Sequence, residues 1–227
     1  MTVKILGIAG SPISGGNCEK LVKVALEAAA ETPGIKTDFI NLADKKIDFC
    51  HNCQQCIKKR ARCILKDDLT SVQDAMFASD ALILGAPAYN GLISTQLINL
   101  FNRGREEIFF SHRMRYKIAA SITLGWFGVG LDRALDCINQ LILSWGMFPL
   151  NTSRGKALVS TVWKGERAAY MPNGVLDDQM GVRNVQDVGH RLAEATKMFK
   201  PGRDAWVAKL AKKSQAEGKK FIDGVWR

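Results

Sequence analysis

Short runs of nearly uninterrupted apolar residues, each followed by a loop and then by a helical pattern, constrain this chain more tightly than any other feature. Val3 to Ala9 reads as a buried strand ending in the small-residue loop Gly10 to Gly16. Asn17 to Glu31 then carries Leu21, Val22, Ala25 and Ala29 at helical spacing. Thr32-Pro33-Gly34 breaks that helix, and Ile35 to Leu42 returns to an extended pattern. Two further units follow: strand Ala81 to Gly85 with a helix over Ser94 to Asn102, and strand Lys117 to Thr123 with a helix over Leu131 to Trp145. Strands buried on both faces show no alternation, and parallel neighbours need helical crossovers, so the pattern predicts an α/β fold with a parallel sheet between two helical layers. The fifth strand lies either at Met147 to Leu150 or at Ala157 to Val162. Lys164 to Gly181 reads as an irregular excursion and Val182 to Phe199 as the last core helix. Pro201-Gly202 is expected to break the chain before a basic helix from Asp204 to about Gln215. The stripe Trp206, Val207, Leu210 and Ala211 would pack that helix on the body or on another subunit. The organisation expected is one domain over residues 1–200 and a basic helical extension over 201–227.

With 227 residues, 47% of them hydrophobic and 24% charged, the chain has apolar material for a sizeable core. No signal-like leader and no apolar run of ~18 residues stands out, so a soluble, cytoplasmic protein without a membrane partner is expected. That compartment matters for the six cysteines, because in reducing surroundings a tight Cys group is expected to bind metal rather than to form disulfides. A formal charge of +10 favours acidic partners, either nucleic acid or a small acidic redox protein. No helix-turn-helix, zinc-finger or RNP signature supports the former.

Three loops follow strands at the edge where open parallel sheets bind ligands. Gly10 to Asn17 has neither the Gly-Lys-Ser/Thr of a P-loop nor a Gly-x-Gly-x-x-Gly fingerprint. It offers the hydroxyls of Ser11 and Ser14, the Asn17 amide and backbone N–H groups at a helix N-terminus, neutral donors able to hold a phosphomonoester. A plain helix-capping turn is the alternative. The loop Gly85 to Gly91 combines a rigid Pro87, an aromatic Tyr89 and a permissive Gly91, which suits a flat ring. The loop Thr123 to Gly130 brings Gly125, Trp126 and Gly130 to the same edge, either as a glycine-rich turn with core aromatics or as amides for the polar rim of an isoalloxazine. Together the three supply phosphate donors, a stacking wall and a polar rim, which is what FMN requires.

Cys50, Cys53, Cys56 and Cys63 lie in a polar, basic segment, Lys45 to Lys66, that has no sustained period, so something other than a core must order it. Asp67 and Asp68 follow as acidic caps for the next helix. Spacers of two, two and six residues let a single turn of chain wrap several corners of an iron-sulfur cubane while the last cysteine reaches the remaining iron. The run is like that of bacterial ferredoxins without their following proline, since Ile64 comes next. Tetrahedral zinc is the main alternative and free or disulfide-bonded thiols the other. Lys58, Lys59, Arg60, Arg62 and Lys66 would favour thiolates and could dock an acidic donor, or simply form a solvated basic loop. His51 reads as a surface residue, and Cys18 and Cys137 as structural.

These residues together resemble the iron-sulfur flavoprotein family, within the NADPH-dependent FMN reductase group of flavodoxin-like proteins, over roughly Lys4 to Phe199. Gly10-Ser11-Pro12 with Gly16-Asn17 is similar to the family's phosphate loop. Gly85-Ala86-Pro87-Ala88-Tyr89-Asn90-Gly91 with Ser94 and Gln96 is similar to its flavin-ring loop. Ile13 and Cys18 stand where the family often carries Arg and Thr. The resemblance implies a five-stranded sheet in the order 2-1-3-4-5, FMN and a [4Fe-4S] cluster as cofactors, and a homodimer or homotetramer in which a cluster of one subunit faces a flavin of its neighbour. The activity implied is electron transfer from a low-potential carrier such as ferredoxin, through cluster and flavin, to a small-molecule acceptor, with no acid-base residue assigned. The competing readings are an NAD(P)H-dependent FMN or quinone reductase with a structural metal-binding Cys loop, and a redox sensor or nucleic-acid-binding module using the +10 charge.

Overall fold

The computed structural model describes residues 2–150, 155–159, 171–216, 221–222 and 225–226. Each expected strand forms: β1 (Val3–Ala9), β2 (Ile35–Asn41), β3 (Ala81–Tyr89), β5 (Ile118–Trp126) and β6 (Phe148–Leu150) hydrogen-bond in the order β2-β1-β3-β5-β6, all parallel. The two-residue β4 (Leu92–Ile93) folds back on the end of β3, and β7 (Lys156–Val159) lies beside the outer half of β5. The fold is the expected flavodoxin-like α/β sandwich. The two candidate positions for its last strand are both occupied, because β6 pairs Phe148 with Ile118 while β7 pairs Lys156 with Thr123 further along the same strand. Of the excursion expected over 164–181, residues 164–170 lie outside the described residues, and 171–178 form turns around a 3-10 turn, Gly174–Asp177.

Period-two alternation divides the core. Val3, Ile5, Ile83 and Ile122 face α1 (Asn17–Ala30) and α6 (Gln179–Ala216), whereas Leu6, Ile8, Leu82 and Leu84 face α3 (Leu69–Ala78), α4 (Thr95–Asn102) and α5 (Leu131–Ser144). Burying each such aliphatic side chain contributes ~1.5–3 kcal/mol, so the two layers hold the sheet rigidly beneath its loops. Helices α1 and α6 pack backbone to backbone, since a Cβ on Gly189 would overlap the carbonyl oxygen of Ala25. Among the described residues, no helix is long and apolar enough to cross a membrane.

The break expected at Pro201-Gly202 is absent: α6 runs through Pro201 as one helix of 38 residues. Proline removes one backbone donor and costs roughly 3 kcal/mol inside a helix. Two cations beside it offset that cost by closing on Asp80, Lys200 Nζ at 2.8 Å and Arg203 Nη2 at 3.0 Å. Asp80 also accepts the Lys4 N–H at 3.0 Å, so a single carboxylate ties α6 to the start of β3 and to β1. Burial opposes its ionisation, but Lys200, the Lys4 N–H and Arg203 outweigh burial and hold it below its ordinary value near 3.8.

Two outcomes follow from this packing. Gly189→Ala should lower stability by about 1–3 kcal/mol by forcing α6 off α1, read as a fall in Tm with cooperativity retained. Asp80→Asn should lower Tm most at neutral pH. The folded-state value is depressed, so this stabilisation is complete above the unfolded value and is lost as pH falls through the folded one. The gap between wild type and variant should therefore shrink below about pH 4 in a pH series of thermal melts.

Candidate functional site

At the carboxyl ends of β1, β3 and β5 the three strand-following loops converge on a cleft of about 460 Å³. The first loop contributes Ser11, Ile13, Gly16, Asn17 and Cys18, the second Pro87, Ala88 and Tyr89, and the third Gly125 and Trp126. Leu124 and Val159 complete the lining. Neither was expected there; Val159 arrives only because β7 pairs with the end of β5.

Five other residues picked from the sequence do not line the cleft. Ser14 and Asn90 are exposed on their loops. Thr123 is buried, donating its N–H to Gly155 O at 2.6 Å and its hydroxyl to Ala86 O at 2.9 Å, so it ties strands together beneath the cleft. Gly91 and Gly130 both have positive φ, and a Cβ on Gly130 would lie 2.8 Å from Gly91 Cα. These two glycines let the second and third loops touch.

The phosphate-type loop is wired more heavily than its sequence suggests. Ser11 Oγ accepts the Ile13 N–H at 3.1 Å, while Glu19 accepts the Gly15 N–H at 2.7 Å and is balanced by Lys23 at 2.6 Å. Asn17 Oδ1 accepts the Val175 N–H at 3.1 Å, so the turn at 174–177 is fastened to the first residue of α1. Burial pushes the Cys18 thiol up to about 12, against the pull of the Gly10 and Ser11 amides, so it packs as a neutral, apolar group. Burial likewise raises Tyr89, whose hydroxyl shares a hydrogen bond with Ser11 and stays protonated. The cleft thus offers a helix N-terminus and neutral donors at one end and the side chains of Tyr89 and Trp126 as apolar walls.

A second site lies in the segment between β2 and α3. The two aspartates that follow the cysteines grip this segment, but only Asp67 also accepts an N–H at the start of the helix; Asp68, at the N-cap position, makes no side-chain capping bond. Asp68 accepts the Lys46 N–H at 2.7 Å; Asp67 accepts those of Asp48 and Leu69, each at 3.1 Å. Within the segment a short helix, α2 (Gln55–Lys59), is flanked by left-handed Gln54 and Arg60, and Asn52 is left-handed too. These reversals turn the chain so that Cys50, Cys53, Cys56 and Cys63 all line one hollow. All four are free thiols, Cys50 and Cys53 exposed and the other two half-buried. Among the described residues no three His, Cys, Asp or Glu side chains converge on a single point as ligands of one metal ion would.

The cations that touch this hollow come from beyond α4, not from the loop. Arg103, 1% exposed, donates to Cys63 Sγ at 3.4 Å, to Asp48 O at 3.2 Å and to Asp67. Burial works against its charge, yet Asp67 and Cys63 outweigh burial and keep it protonated. Arg105 donates to Asn52 Oδ1 at 2.9 Å and pulls the Cys56 thiol down, although burial raises that thiol overall. Of the loop's own cations, Arg62 is turned away to Asp74 at 2.6 Å, and Arg60 lies over the Phe110 ring. His51 rests against Phe49, with ring centroids 5.1 Å apart. Two arginines around Gly104, directly after an apolar helix, were the only sequence signal for this pair.

The profile of the NADPH-dependent FMN reductase family matches residues 3–157. The chain is 31% identical over 199 residues to an iron-sulfur flavoprotein of Methanocaldococcus jannaschii, covering 87% of this chain and 100% of that one. It is 27% identical over 203 residues to an iron-sulfur flavoprotein of Methanosarcina thermophila, covering 89% and 100%. A flavodoxin from the domain Archaea shares the fold, with a TM-score of 0.53 at 12% identity over 86% of this chain and 99% of that one.

The thiols differ enough in burial to be separated chemically. In metal-free protein, a maleimide or iodoacetamide time course followed by peptide mapping should modify Cys50 and Cys53 first and Cys18 only on unfolding. Early labelling of Cys18 would contradict its placement beneath the first loop.

Proposed function

We propose, since the chain belongs to the NADPH-dependent FMN reductase family and to the iron-sulfur flavoproteins within it, that it carries electrons from a low-potential acidic carrier such as ferredoxin to a small acceptor, with a [4Fe-4S] cluster at Cys50, Cys53, Cys56 and Cys63 and FMN in the cleft. It is a flavin-dependent oxidoreductase; the donor, the acceptor and the ligand assignments are the proposal. The observation that carries it is the hollow itself, where four free thiols share one lining with a buried arginine donating to one of them. Spacers of two, two and six residues suit a group that offers each thiol its own iron better than they suit a single zinc ion.

When bound, the two groups supply one- and two-electron chemistry at low potential. The chain's part is to hold, orient and shield. The N-terminal end of α1, with Ser11 and the backbone amides of the first loop, would take the phosphate. Pro87, Tyr89 and Trp126 would wall the ring, and Leu124 with Val159 would keep water from it. The exposed cations Lys58, Lys59, Arg60 and Lys66 lie in the cysteine segment, where an acidic carrier would meet both charge and thiols.

The cleft and the hollow share no lining residue. Beside the cleft, Trp126, Phe127 and Val129 are 55%, 58% and 65% exposed, an apolar rim of the kind a second copy covers. A homodimer or homotetramer that brings one protomer's cysteines to its partner's cleft is therefore part of the proposal.

Anaerobically purified protein should contain roughly four irons and one FMN per chain, with broad absorption beneath the flavin bands. Cys53→Ser should lose the iron and that broad absorption while keeping FMN. Unchanged iron content in the variant would sink the ligand assignment, and zinc in place of iron would replace the proposal with a structural metal loop.

A further inference from the structure

We propose that Arg103 is a positioning residue that sets the electron affinity of the group held by Cys63, with Asp67 as its counterweight. The inference rests on the reading of the four cysteines as cluster ligands and extends it to a residue outside the cysteine segment.

Cys63 is unlike Cys50 and Cys53, which are exposed. It is half-buried and takes an N–H···S hydrogen bond at 3.4 Å from Arg103, whose side chain is 0% exposed. The same planar guanidinium reaches the Asp67 carboxylate and the Asp48 carbonyl, so its direction is set by contacts on both sides of the cysteine segment. A lysine ammonium has three donors but on a single nitrogen, so it lacks the planar fork that here spreads the bonds over Nη1 and Nη2.

Arg103 makes its hydrogen bonds through Nη1 and Nη2 alone, and its Nε is buried with no hydrogen-bond partner, so the site carries the cost of one unmet donor. A buried cation beside a thiolate ligand draws negative charge off the sulfur and favours the reduced state of an anionic iron-sulfur group. Sealed from solvent, this field is little screened by salt. Asp67, 5% exposed and held below the ordinary carboxylate range although burial opposes it, carries the opposite charge at Nη1, while Cys63 is bound at Nη2. Its negative charge must partly cancel what Arg103 supplies.

The pair therefore makes predictions of opposite sign. Arg103→Met should lower the midpoint potential, and Asp67→Asn should raise it. Each should change the one-electron exchange equilibrium at least tenfold, or about 59 mV. Potentials are read by EPR-monitored titration of anaerobic protein, with iron, sulfide and FMN quantified in each variant and Arg103→Lys included as the charge-retaining control. Arg103→Lys should keep its iron and fall between wild type and Arg103→Met. A structural role alone would lower Tm and iron content in both variants while leaving the potential of the remaining loaded protein unchanged, and that result overturns the inference. If Arg103→Met retains no iron, Asp67→Asn decides: a raised potential supports the pair, and an unchanged or lowered one overturns it. Wild-type protein without iron would remove the underlying cluster reading, whereas iron-replete variants with wild-type potentials would remove only this inference.

Discussion

Helix α1 lies on β1 and β3 at a separation that side chains larger than hydrogen would prevent. A Cβ on Gly85 would overlap Val22, and the Cys18 sulfur would be 3.4 Å from it. This contact brings the first turn of α1 close to the carboxyl ends of the two central strands, where the strand order reverses. The N–H groups of that turn become one end of the cleft, and the loops after β3 and β5 become its walls. On the opposite side α6 reaches the α1 backbone at Gly189, so the helix is held between sheet and helix. A loop that reads as a flexible Ser/Gly turn is thereby presented on a rigid support.

The second site has a different physical basis. The cysteine segment contributes few side chains to the core, and its backbone is held by charges: Asp67 and Asp68 accept its N–H groups, and Arg103 donates to its carbonyl at Asp48. A segment organised by buried charge rather than by apolar packing can turn four thiols toward one hollow. It also makes the electrostatics of the site a consequence of the anchoring itself. The residues that pin the chain are the same ones that place a cation against Cys63.

The loops and the cysteines were legible because their chemistry is local. Strand, small-residue loop and helix follow one another within a few residues, and the run Cys50 to Cys63 carries its spacing in plain view. Arg103 and Arg105 were not legible, because 40 residues separate Arg103 from Cys63 and no periodicity links them. The role of Asn17 was read only in part: its amide belongs to the cleft lining, but its oxygen is spent on Val175, a contact 158 residues away. Thr123, Gly91 and Gly130 were placed in the right loops and yet serve the scaffold: strand alternation turns Thr123 into the core, and the two glycines take positive φ where their loops touch.

Pro201 shows the same division most simply. Local propensity argues for a break there, and the helix persists because Lys200 and Arg203 find Asp80, a partner no window of sequence contains. What the sequence determined by itself was the class of fold, the edge of the sheet where the three loops meet, and the close run of four cysteines, because apolar periodicity, glycine placement and short Cys spacing act over a few residues. What only the tertiary structure decided was which cations meet the thiols, which loop residues line the cleft, and where the last helix ends, because each depends on charges and backbone atoms brought together from distant parts of the chain.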